Sequence, residues 1–439
     1  MNAGPHGVGH WKHPASDNTW FRPDFYLNVA RILEEARFDL IFFADSLAVP
    51  RSFGGTPDTN IRYGVGVPRL DPIPVISLLV AATEHIGLAA TSSTGFQQPY
   101  NIARQFSTLD HLSGGRVGWN VVTSFQDAEA RNFGADKLAG RSERYRRADE
   151  FIQVVARLWD TWDEDAVILD SESGIFADPG KVHELGFHGD YYGVEGPLAI
   201  PRSPQGYPVI VQAGSSHEGK DFAARWADVI FTSHVSLESA QDFYADVKTR
   251  AARYGRSPDD VKILPSVTPI VAHTHSDAIR LKTELDALVP AEAGLARLAY
   301  HLDADLTKYD LDKPLPELDV QGVNGHYREV VEITRREGFT LRELGRWYGS
   351  RNEGDLVGTP EVIADRMEQW FLGYAADGFT VSATHTPGAF AEFTDLVLPE
   401  LRRRGLARTD YTGQTLRENL GVPRPAPGEW AARLKREDV

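Results

Sequence analysis

The chain has 439 residues and contains 46 Lys and Arg against 62 Asp and Glu, which gives a formal net charge of −16. The acidic balance argues against a nucleic-acid or anionic-membrane partner, because both need a positive field. The chain has no cysteine, which excludes disulfides, thiolate metal sites and a cysteine nucleophile, so any redox chemistry is expected to come from a bound organic cofactor.

Short apolar runs rich in β-branched and aromatic residues alternate with segments of helical period, and this alternation is typical of a parallel α/β fold. Residues 24–35 and 144–159 place their apolar side chains on one helical face. Thr359 followed by Pro360 predicts the start of another helix. In chain order, the predicted strands cover residues 38–44, 86–91, 117–122, 209–212, 229–232, 263–271 and 379–382.

Seven strands are one fewer than a (β/α)8 TIM barrel needs, and the missing strand is expected before the helix at residue 24. Two long segments, 163–208 and 285–357, interrupt the alternation and lack a repeating strand pattern. We therefore interpret them as insertions that cover the carboxyl-terminal face of the barrel as lids. The predicted fold class is α/β, with a single barrel domain over residues 1–439 and a C-terminal arm at 422–439.

Several recognisable motifs are absent from the sequence. Residues 1–10 do not form a signal peptide, and the apolar run at 76–82 is shorter than the about 20 residues of a membrane span, so a cytoplasmic protein is expected. Three residues separate Glu184 from His188, whereas a zinc-binding helix motif has two. Glu218 stands where the turn of a serine hydrolase needs glycine. No Walker loop or dinucleotide fingerprint is visible, so the sequence predicts neither a metal nor a nicotinamide site.

Polar residues follow the predicted strands at their carboxyl ends, where a parallel barrel carries its active site. They are Asp45, Thr94, the run 120–124, and Ser215 with Ser216. The turn at 213–216 leads into an apolar helix, so its backbone N–H groups and two hydroxyls suit a phosphate group. Asp45 and Ser216 could each be a helix N-cap instead, and that alternative stays open for either residue taken singly.

A basic cluster surrounds Tyr145, with arginines at 141, 144, 146 and 147. A solvated helix face would explain the cluster, and so would a shared phosphate held by Tyr145 and a neighbouring arginine. His10 and His13 flank Trp11 before the first helix, where a lone histidine is usually a surface or capping residue.

Several longer motifs are spread along nearly the whole chain. The main run is LDHLSGGRVGWNVVTS at 109–124, followed by DAEARNFG at 127–134. Together with the shorter matches, these motifs resemble the two-component flavin monooxygenases of the nitrilotriacetate and dibenzothiophene-sulfone monooxygenase group, within the bacterial luciferase-like superfamily. The shorter matches lie at 43–46, 144–145, 147–151, 212–216, 357–360 and 415–421.

The resemblance implies a (β/α)8 barrel that uses reduced FMN (FMNH2) and O2 to oxygenate a small organic substrate, such as a sulfur- or nitrogen-containing or aromatic compound. It implies a separate NAD(P)H:flavin reductase that supplies the FMNH2, and a homodimer or homotetramer. A non-catalytic flavin-binding protein on the same barrel is the alternative. A glycoside hydrolase ranks last, because the run at 120–124 offers no carboxylate for that chemistry.

The resemblance also implies roles for particular residues. Asp45, Thr94, Val122 and Ser124 would line the isoalloxazine and ribityl region of the flavin. Tyr145, Ser215 and Ser216 would hold its phosphate, and Arg141, at a position where the family often has histidine, could contact the phosphate as well.

Two further departures from the family pattern concern the strand count and the proton donor. The chain begins inside the loop that corresponds to residues 4–13, so the first barrel strand is expected to be missing or truncated. Some members carry a catalytic-type histidine just before the Gly-Thr-Pro motif, but residues 352–355 contain none. His10 and His385, at the ends of the first loop and the last strand, are the remaining candidates for acid or base chemistry.

Overall fold

The computed structural model describes residues 7–234, 236–318, 324–350 and 356–434. Its centre is a sheet of seven parallel strands in the order β1-β2-β3-β8-β9-β10-β13. In chain order the strands are β1 (Leu40–Phe43), β2 (Gly87–Ser93), β3 (Val117–Val122), β4 (Val167–Asp170), β5 (Ile175–Ala177), β6 (Phe187–His188), β7 (Gly193–Val194), β8 (Val209–Gln212), β9 (Val229–Thr232), β10 (Lys262–Val267), β11 (Ile270–Val271), β12 (Val357–Gly358) and β13 (Thr380–Val381).

Helices connect these strands and cover the outer side of the sheet. None of the described helices is long and apolar enough to cross a membrane. The α-helices are α1 (Pro23–Glu35), α2 (Asp58–Tyr63), α3 (Pro72–Val80), α4 (Pro99–Ser113), α5 (Asp127–Asn132), α6 (Arg141–Trp159), α7 (His217–Trp226), α8 (Leu237–Arg253), α9 (His275–Ala287), α10 (Ala291–Leu302), α11 (Asn324–Glu337), α12 (Leu341–Ser350), α13 (Pro360–Leu372), α14 (Gly388–Glu392), α15 (Leu398–Arg403), α16 (Leu416–Leu420) and α17 (Trp430–Leu434).

The seven predicted strands all belong to the central sheet, but one boundary was wrong. The predicted strand 263–271 is divided into β10 and β11, and β11 pairs with β12 rather than with the central sheet. Pro269 lies at the division, and proline has no N–H to donate to a neighbouring strand. The residues described before α1 contain no strand of the sheet.

The sheet curls so that its first and fifth strands face each other. The rings of Phe42 on β1 and Phe231 on β9 have centroids 4.7 Å apart, although three strands separate β1 from β9 in the sheet. Leu416 of α16 belongs to the same interior cluster, and a Cβ on Gly87 at the start of β2 would lie 2.5 Å from it. The C-terminal segment therefore closes the amino-terminal end of the curled sheet.

The segment before α1 attaches to the chain that follows β13, at the other edge of the sheet. The Asp17 N–H donates to the Thr386 carbonyl at 2.8 Å, and Ser16 forms a bridge with Pro387. His10 contacts the Thr384 carbonyl through Nδ1 at 3.2 Å. These contacts place the N-terminal loop beside the carboxyl end of the last strand.

The two long segments interrupting the alternation have different internal structures. Residues 163–208 form two short antiparallel hairpins, β4–β5 and β6–β7. The second segment, 285–357, is helical in its described part and is packed on its own apolar cluster. Within it, α10 and α12 approach so closely that a Cβ on Gly294 would lie 1.7 Å from the Gly345 carbonyl oxygen.

The C-terminal residues are tied to the sheet by a buried ion pair. Arg417 donates to the Asp228 carboxylate at 2.7 Å, and both side chains are almost fully buried. The Arg417 guanidinium, together with that of Arg256, keeps the pKa of Asp228 low, although burial acts in the opposite direction. Of the predicted arm at 422–439, residues 422–434 are described. The Arg157 guanidinium carbon of α6 lies over the Trp430 ring, 4.7 Å from its centroid.

Candidate active site at the carboxyl ends of the strands

The residues predicted to follow β2 and β3 lie side by side. The Thr94 N–H donates to the Val122 carbonyl at 3.0 Å, and the Thr94 hydroxyl donates to the same oxygen at 3.2 Å. The hydroxyls of Ser93 and Ser124 are 2.9 Å apart. Ser124 has a φ of +58°, a left-handed conformation uncommon outside glycine, and strained backbone of this kind is concentrated at functional sites.

Asp45 follows β1 and is partly buried near the same edge. Its Oδ1 accepts the N–H of Ser46 at 2.8 Å. Burial raises the pKa of the Asp45 carboxyl, while the Ser46 N–H and the positive charge of Arg69 act against the rise. The cost of burying the charged form therefore outweighs these two contacts, and the pKa of Asp45 is higher than that of an ordinary aspartate.

Glu129, which the sequence analysis did not single out, joins the loops that follow β1 and β3. Its side chain is only 4% exposed. One carboxylate oxygen accepts the Leu47 N–H at 3.1 Å, and the other accepts the N–H groups of Phe125 and Gln126 at 3.2 and 3.3 Å. Gln126 and Glu129 form a capping box at the start of α5. The usual signature of this box has Ser or Thr at the N-cap, so only the glutamate half of it was visible in the sequence.

The turn after β8 and the start of α6 form the second half of the site. The Tyr145 hydroxyl is hydrogen-bonded to the Ser216 side chain, and burial raises the pKa of Tyr145. Ser216 also caps α7, since its Oγ accepts the Gly219 N–H at 3.0 Å. The N-cap interpretation of Ser216 is therefore correct and coexists with its place beside Tyr145. Ser215 is exposed on the same turn.

Two glycines in this turn allow a close approach of backbone to side chain. A Cβ on Gly219 would lie 2.8 Å from the Tyr145 hydroxyl oxygen, and a Cβ on Gly214 would lie 2.6 Å from the Gly219 Cα. The resulting cradle presents hydroxyls and the positive end of α7. Because backbone N–H groups at a helix start favour anions, these residues fit the phosphate group of FMN.

The arginine cluster divides into two groups. Arg141 and Arg144 lie close enough to Tyr145 for their positive charges to oppose the rise of its pKa. Arg144 also donates to the Ala139 carbonyl at 2.7 Å. Arg146 instead pairs with Glu143 on an exposed face of α6, and Arg147 donates to the Tyr192 hydroxyl at 2.8 Å. Arg146 is thus solvated, whereas Arg141 and Arg144 lie near Tyr145, where the phosphate interpretation needs an arginine.

The two candidate histidines, His10 and His385, lie together at the end of the last strand. His10 contacts the Thr384 carbonyl, and the Thr384 hydroxyl is 3.0 Å from Nδ1 of His385. The other nitrogen of His385 lies 3.2 Å from Glu392, and the ring of His13 lies against that of His385, with centroids 4.2 Å apart and planes tilted by 36°. Burial lowers the pKa of His10 to about 4, so His10 is neutral near pH 7.

The structure links the two histidines through Thr384 but does not link them to the residues that follow β1 and β3. Among the described residues, no hydrogen bond connects His10 or His385 with Asp45 or Ser124. Residues 352–355, where the family pattern differs, lie outside the described residues.

A third histidine, His234, follows β9 at the same edge of the sheet and was missed from the sequence. Its Nε2 lies 3.0 Å from the Thr232 hydroxyl. Burial lowers the pKa of His234 to about 4. Its position two residues after a predicted strand was the signal that could have identified it.

Two cavities are lined by other residues of the loops and helices around the sheet. The larger, about 460 Å³, is lined by the N-terminal loop and α2 with its flanking loops. The smaller, about 370 Å³, lies between the start of α4 and the hairpin β6–β7. Within the part of the chain that the structure describes, no group of three His, Asp or Glu side chains could hold a metal ion.

Known proteins are similar to this chain in both sequence and fold. The family described as luciferase-like monooxygenase matches residues 5–378. Dibenzothiophene-sulfone monooxygenase of Rhodococcus erythropolis is 44% identical, covering 96% of this chain and 94% of the relative. Nitrilotriacetate monooxygenase component A of Aminobacter aminovorans is 41% identical, with 95% and 94% covered. A riboflavin lyase, whose crystal structure contains modified FMN and riboflavin, is 34% identical in sequence. Its fold matches with a TM-score of 0.87, covering 96% of this chain and 94% of that one. The chain therefore belongs to the luciferase-like monooxygenase family and is an enzyme.

Proposed function

We propose that this protein is the oxygenase component of a two-component system, which uses reduced FMN and O2 to oxygenate a small organic molecule. The observation that carries the proposal is the cradle formed by Tyr145, Ser216 and Gly219 at the start of α7. It lies at the same sheet edge as Asp45, Thr94, Val122 and Ser124. A phosphate and a flat ring system would together need both halves.

FMNH2, when bound, supplies two electrons to O2, so that substrate, O2 and FMNH2 give oxygenated substrate, FMN and water. Tyr145, Ser215 and Ser216 hold the phosphate, and Arg141 contributes positive charge to it. Thr94, Val122, Ser124 and Asp45 orient the isoalloxazine and ribityl region. Glu129 holds the loops after β1 and β3 together beside this region, because its carboxylate accepts N–H groups from both loops.

Water must be kept out while oxygen is transferred, because wasteful release of hydrogen peroxide competes with the reaction. We assign this task to the segments 163–208 and 285–357 as lids over the carboxyl-terminal face of a (β/α)8-type barrel. On this assignment, residues 1–439 form one barrel domain, and the N-terminal loop lies at the position of the eighth strand.

Proton transfer is assigned to His385 rather than to His10. His385 is fully buried and contacts Glu392, whose side chain is 36% exposed and reaches solvent. His10 stays neutral over the physiological range because its pKa is about 4. Asp45, whose pKa is raised by burial, is a second candidate for proton transfer.

Partner proteins follow from the same assignment. A separate NAD(P)H:flavin reductase supplies the FMNH2, as the name "component A" of one relative suggests for that relative. A homodimer or homotetramer is the assembly that we propose. Light scattering of the purified chain tests this point.

The decisive experiment combines the purified chain with FMN, NADH and a flavin reductase, and follows O2 uptake, hydrogen peroxide and product over a substrate panel. We expect tight binding of FMNH2 and a product containing one atom from O2. Binding of FMN with all consumed O2 recovered as hydrogen peroxide, for every compound tested, would favour the non-catalytic flavin-binding alternative. Absence of any flavin affinity would contradict both.

A further inference from the structure

The larger cavity has a wall of aromatic and aliphatic side chains. Trp11 and Trp20 of the N-terminal loop, Tyr63 and Ile61 of α2, and Val49 of the loop after β1 line it. Its volume, about 460 Å³, is in the range of pockets that enclose small organic ligands. The lining predicts an apolar, ring-containing ligand, because aromatic walls pack well against flat rings.

Two segments of the chain run from the cavity lining towards Asp45. Val49 lies four positions after Asp45 in the same loop. Val67 and Pro68, which also line the cavity, immediately precede Arg69, whose charge acts on the Asp45 carboxyl. These links place the cavity on the same side of the chain as Asp45, one of the residues assigned to the isoalloxazine.

The charge of the cavity is carried by a single residue. Arg62 of α2 is the cation of the lining, and the lining contains no carboxylate. The nearby Glu292 accepts hydrogen bonds from Tyr63 at 3.1 Å and from Thr59 at 3.4 Å. Among the described residues, Arg62 forms no ion pair within 4.0 Å. In a chain of net charge −16, an unpaired guanidinium beside an apolar cavity is suited to bind an anionic group.

We propose that this cavity binds the substrate, and that the substrate class is a monoanion with a flat apolar body, such as an aromatic carboxylate. The acid group lies at Arg62 and the ring lies against Trp11, Trp20 and Tyr63. Arg62 is the one charged residue among the described residues of the lining, so a second carboxylate would find no second cation there. The inference rests on the proposed function for the chemistry, but its binding step can be measured independently.

Binding is tested on the full-length chain by calorimetry, with and without FMN, using three probes. They are 2-naphthoate, the neutral 2-naphthamide of the same shape, and propane-1,2,3-tricarboxylate. We expect 2-naphthoate to bind about three- to tenfold tighter than the amide, a modest factor because Arg62 is exposed and screened. The tricarboxylate should bind more weakly than either ring compound.

Two pairs of variants locate the site. Arg62→Gln should remove the preference for 2-naphthoate over 2-naphthamide, whereas Arg31→Gln, at an exposed arginine of α1, should keep it. Val49→Trp should fill the cavity and lower the affinity for both ring compounds at least tenfold, while FMN affinity stays unchanged. Val362→Trp, at a similarly exposed valine of α13, is its control.

The outcomes separate this inference from the proposed function. Equal affinities of wild type and Arg62→Gln for 2-naphthoate, or tighter binding of the tricarboxylate, would overturn the substrate class. Ring binding that is unchanged in Val49→Trp would overturn the location. If 2-naphthoate binds as expected but no panel compound is oxygenated, the oxygenase function fails and the binding inference stands.

Discussion

Tyr145 and Gly219 lie in contact across α6 and α7, so closely that a Cβ on Gly219 would stand 2.8 Å from the tyrosine hydroxyl oxygen. The hydroxyl is therefore held between the Ser216 side chain and the first turn of α7. This contact joins two helices that are distant in sequence, and it fixes the shape of the proposed phosphate cradle.

Gly219→Ala should disrupt that cradle. The added methyl group would overlap both Tyr145 and the Gly214 Cα, and overpacking of this kind costs about 1–3 kcal/mol. We expect weaker FMN binding, measured by quenching of flavin fluorescence, and a lower unfolding temperature. Gly140→Ala is the control, since a Cβ at Gly140 would have no neighbour within 4 Å. Unchanged FMN affinity in Gly219→Ala would place the phosphate elsewhere.

Tyr145→Phe should weaken the binding of FMN but not of riboflavin, which lacks the phosphate. A hydrogen bond to a charged group contributes roughly 1.5–3 kcal/mol, so FMN affinity should fall about tenfold or more. Tyr191→Phe is the matched control, because the Tyr191 hydroxyl donates to Glu143 at 2.6 Å on an exposed surface. An equal loss of riboflavin affinity would indicate a structural rather than a phosphate-binding role.

Glu129→Gln should loosen the loops after β1 and β3. The substitution replaces one acceptor oxygen with a donor opposite backbone N–H groups, at a cost of about 1–3 kcal/mol in the free energy of unfolding. FMN affinity should fall as well, since the loops carry Asp45 and Ser124.

Glu34→Gln provides the comparison for this variant. One oxygen of Glu34 accepts the N–H groups of Glu84, His85 and Ile86 at 2.7–3.0 Å, at the amino-terminal end of β2. We expect a stability loss of similar size but unchanged FMN affinity. Equal effects of both variants on FMN binding would show that Glu129 acts only through global stability.

We expect His10 to lower the free energy of unfolding as the pH falls from 6.5 towards 4. Its pKa is about 4 when folded against 6.5 for an ordinary histidine. Above pH 6.5 the group is neutral in both states and contributes no pH dependence. Between pH 6.5 and 4 the unfolded chain binds a proton that the folded chain does not, so stability falls by up to about 3 kcal/mol.

Chemical denaturation at pH 7 and pH 5 measures this effect. His10→Gln should lose less stability between the two pH values than wild type, with a remainder from His234, whose pKa is also lowered to about 4. His188→Gln, at an exposed position in β6, should behave like wild type. A His10→Gln variant with the full acid sensitivity would contradict the assigned pKa.

Much of the fold was predictable because its elements have local signals. The seven strands of the sheet are short apolar runs, and the helices between them begin at prolines or capping residues such as Pro99 and Ser236. The strand 263–271 was predicted as one element because its apolar run continues past Pro269. Its division depends on β12, a pairing partner distant in the chain, which a local pattern does not contain.

The candidate site was predictable only in part. Strand ends are local features, so Thr94, Val122 and Ser124 could be named, and their parallel register brings them together. Glu129 was not identified, because its role depends on a contact with another loop. Its carboxylate accepts the N–H of Leu47, which lies in the loop after β1. His385 could be named from its position. Its link to His10 through Thr384 depends on the packing of the N-terminal loop against the residues that follow β13.

The sequence by itself determined the class of chemistry and the order of the elements. An acidic chain without cysteine excludes thiolate and disulfide chemistry, and its strand-end motifs carry the resemblance to a flavin-dependent family. Only the tertiary structure decided which distant residues meet, namely Tyr145 with Gly219, Phe42 with Phe231, and Leu416 with Gly87. Such contacts depend on how the whole sheet curls and packs, because helical and strand periods specify which face is apolar but not which partner covers it.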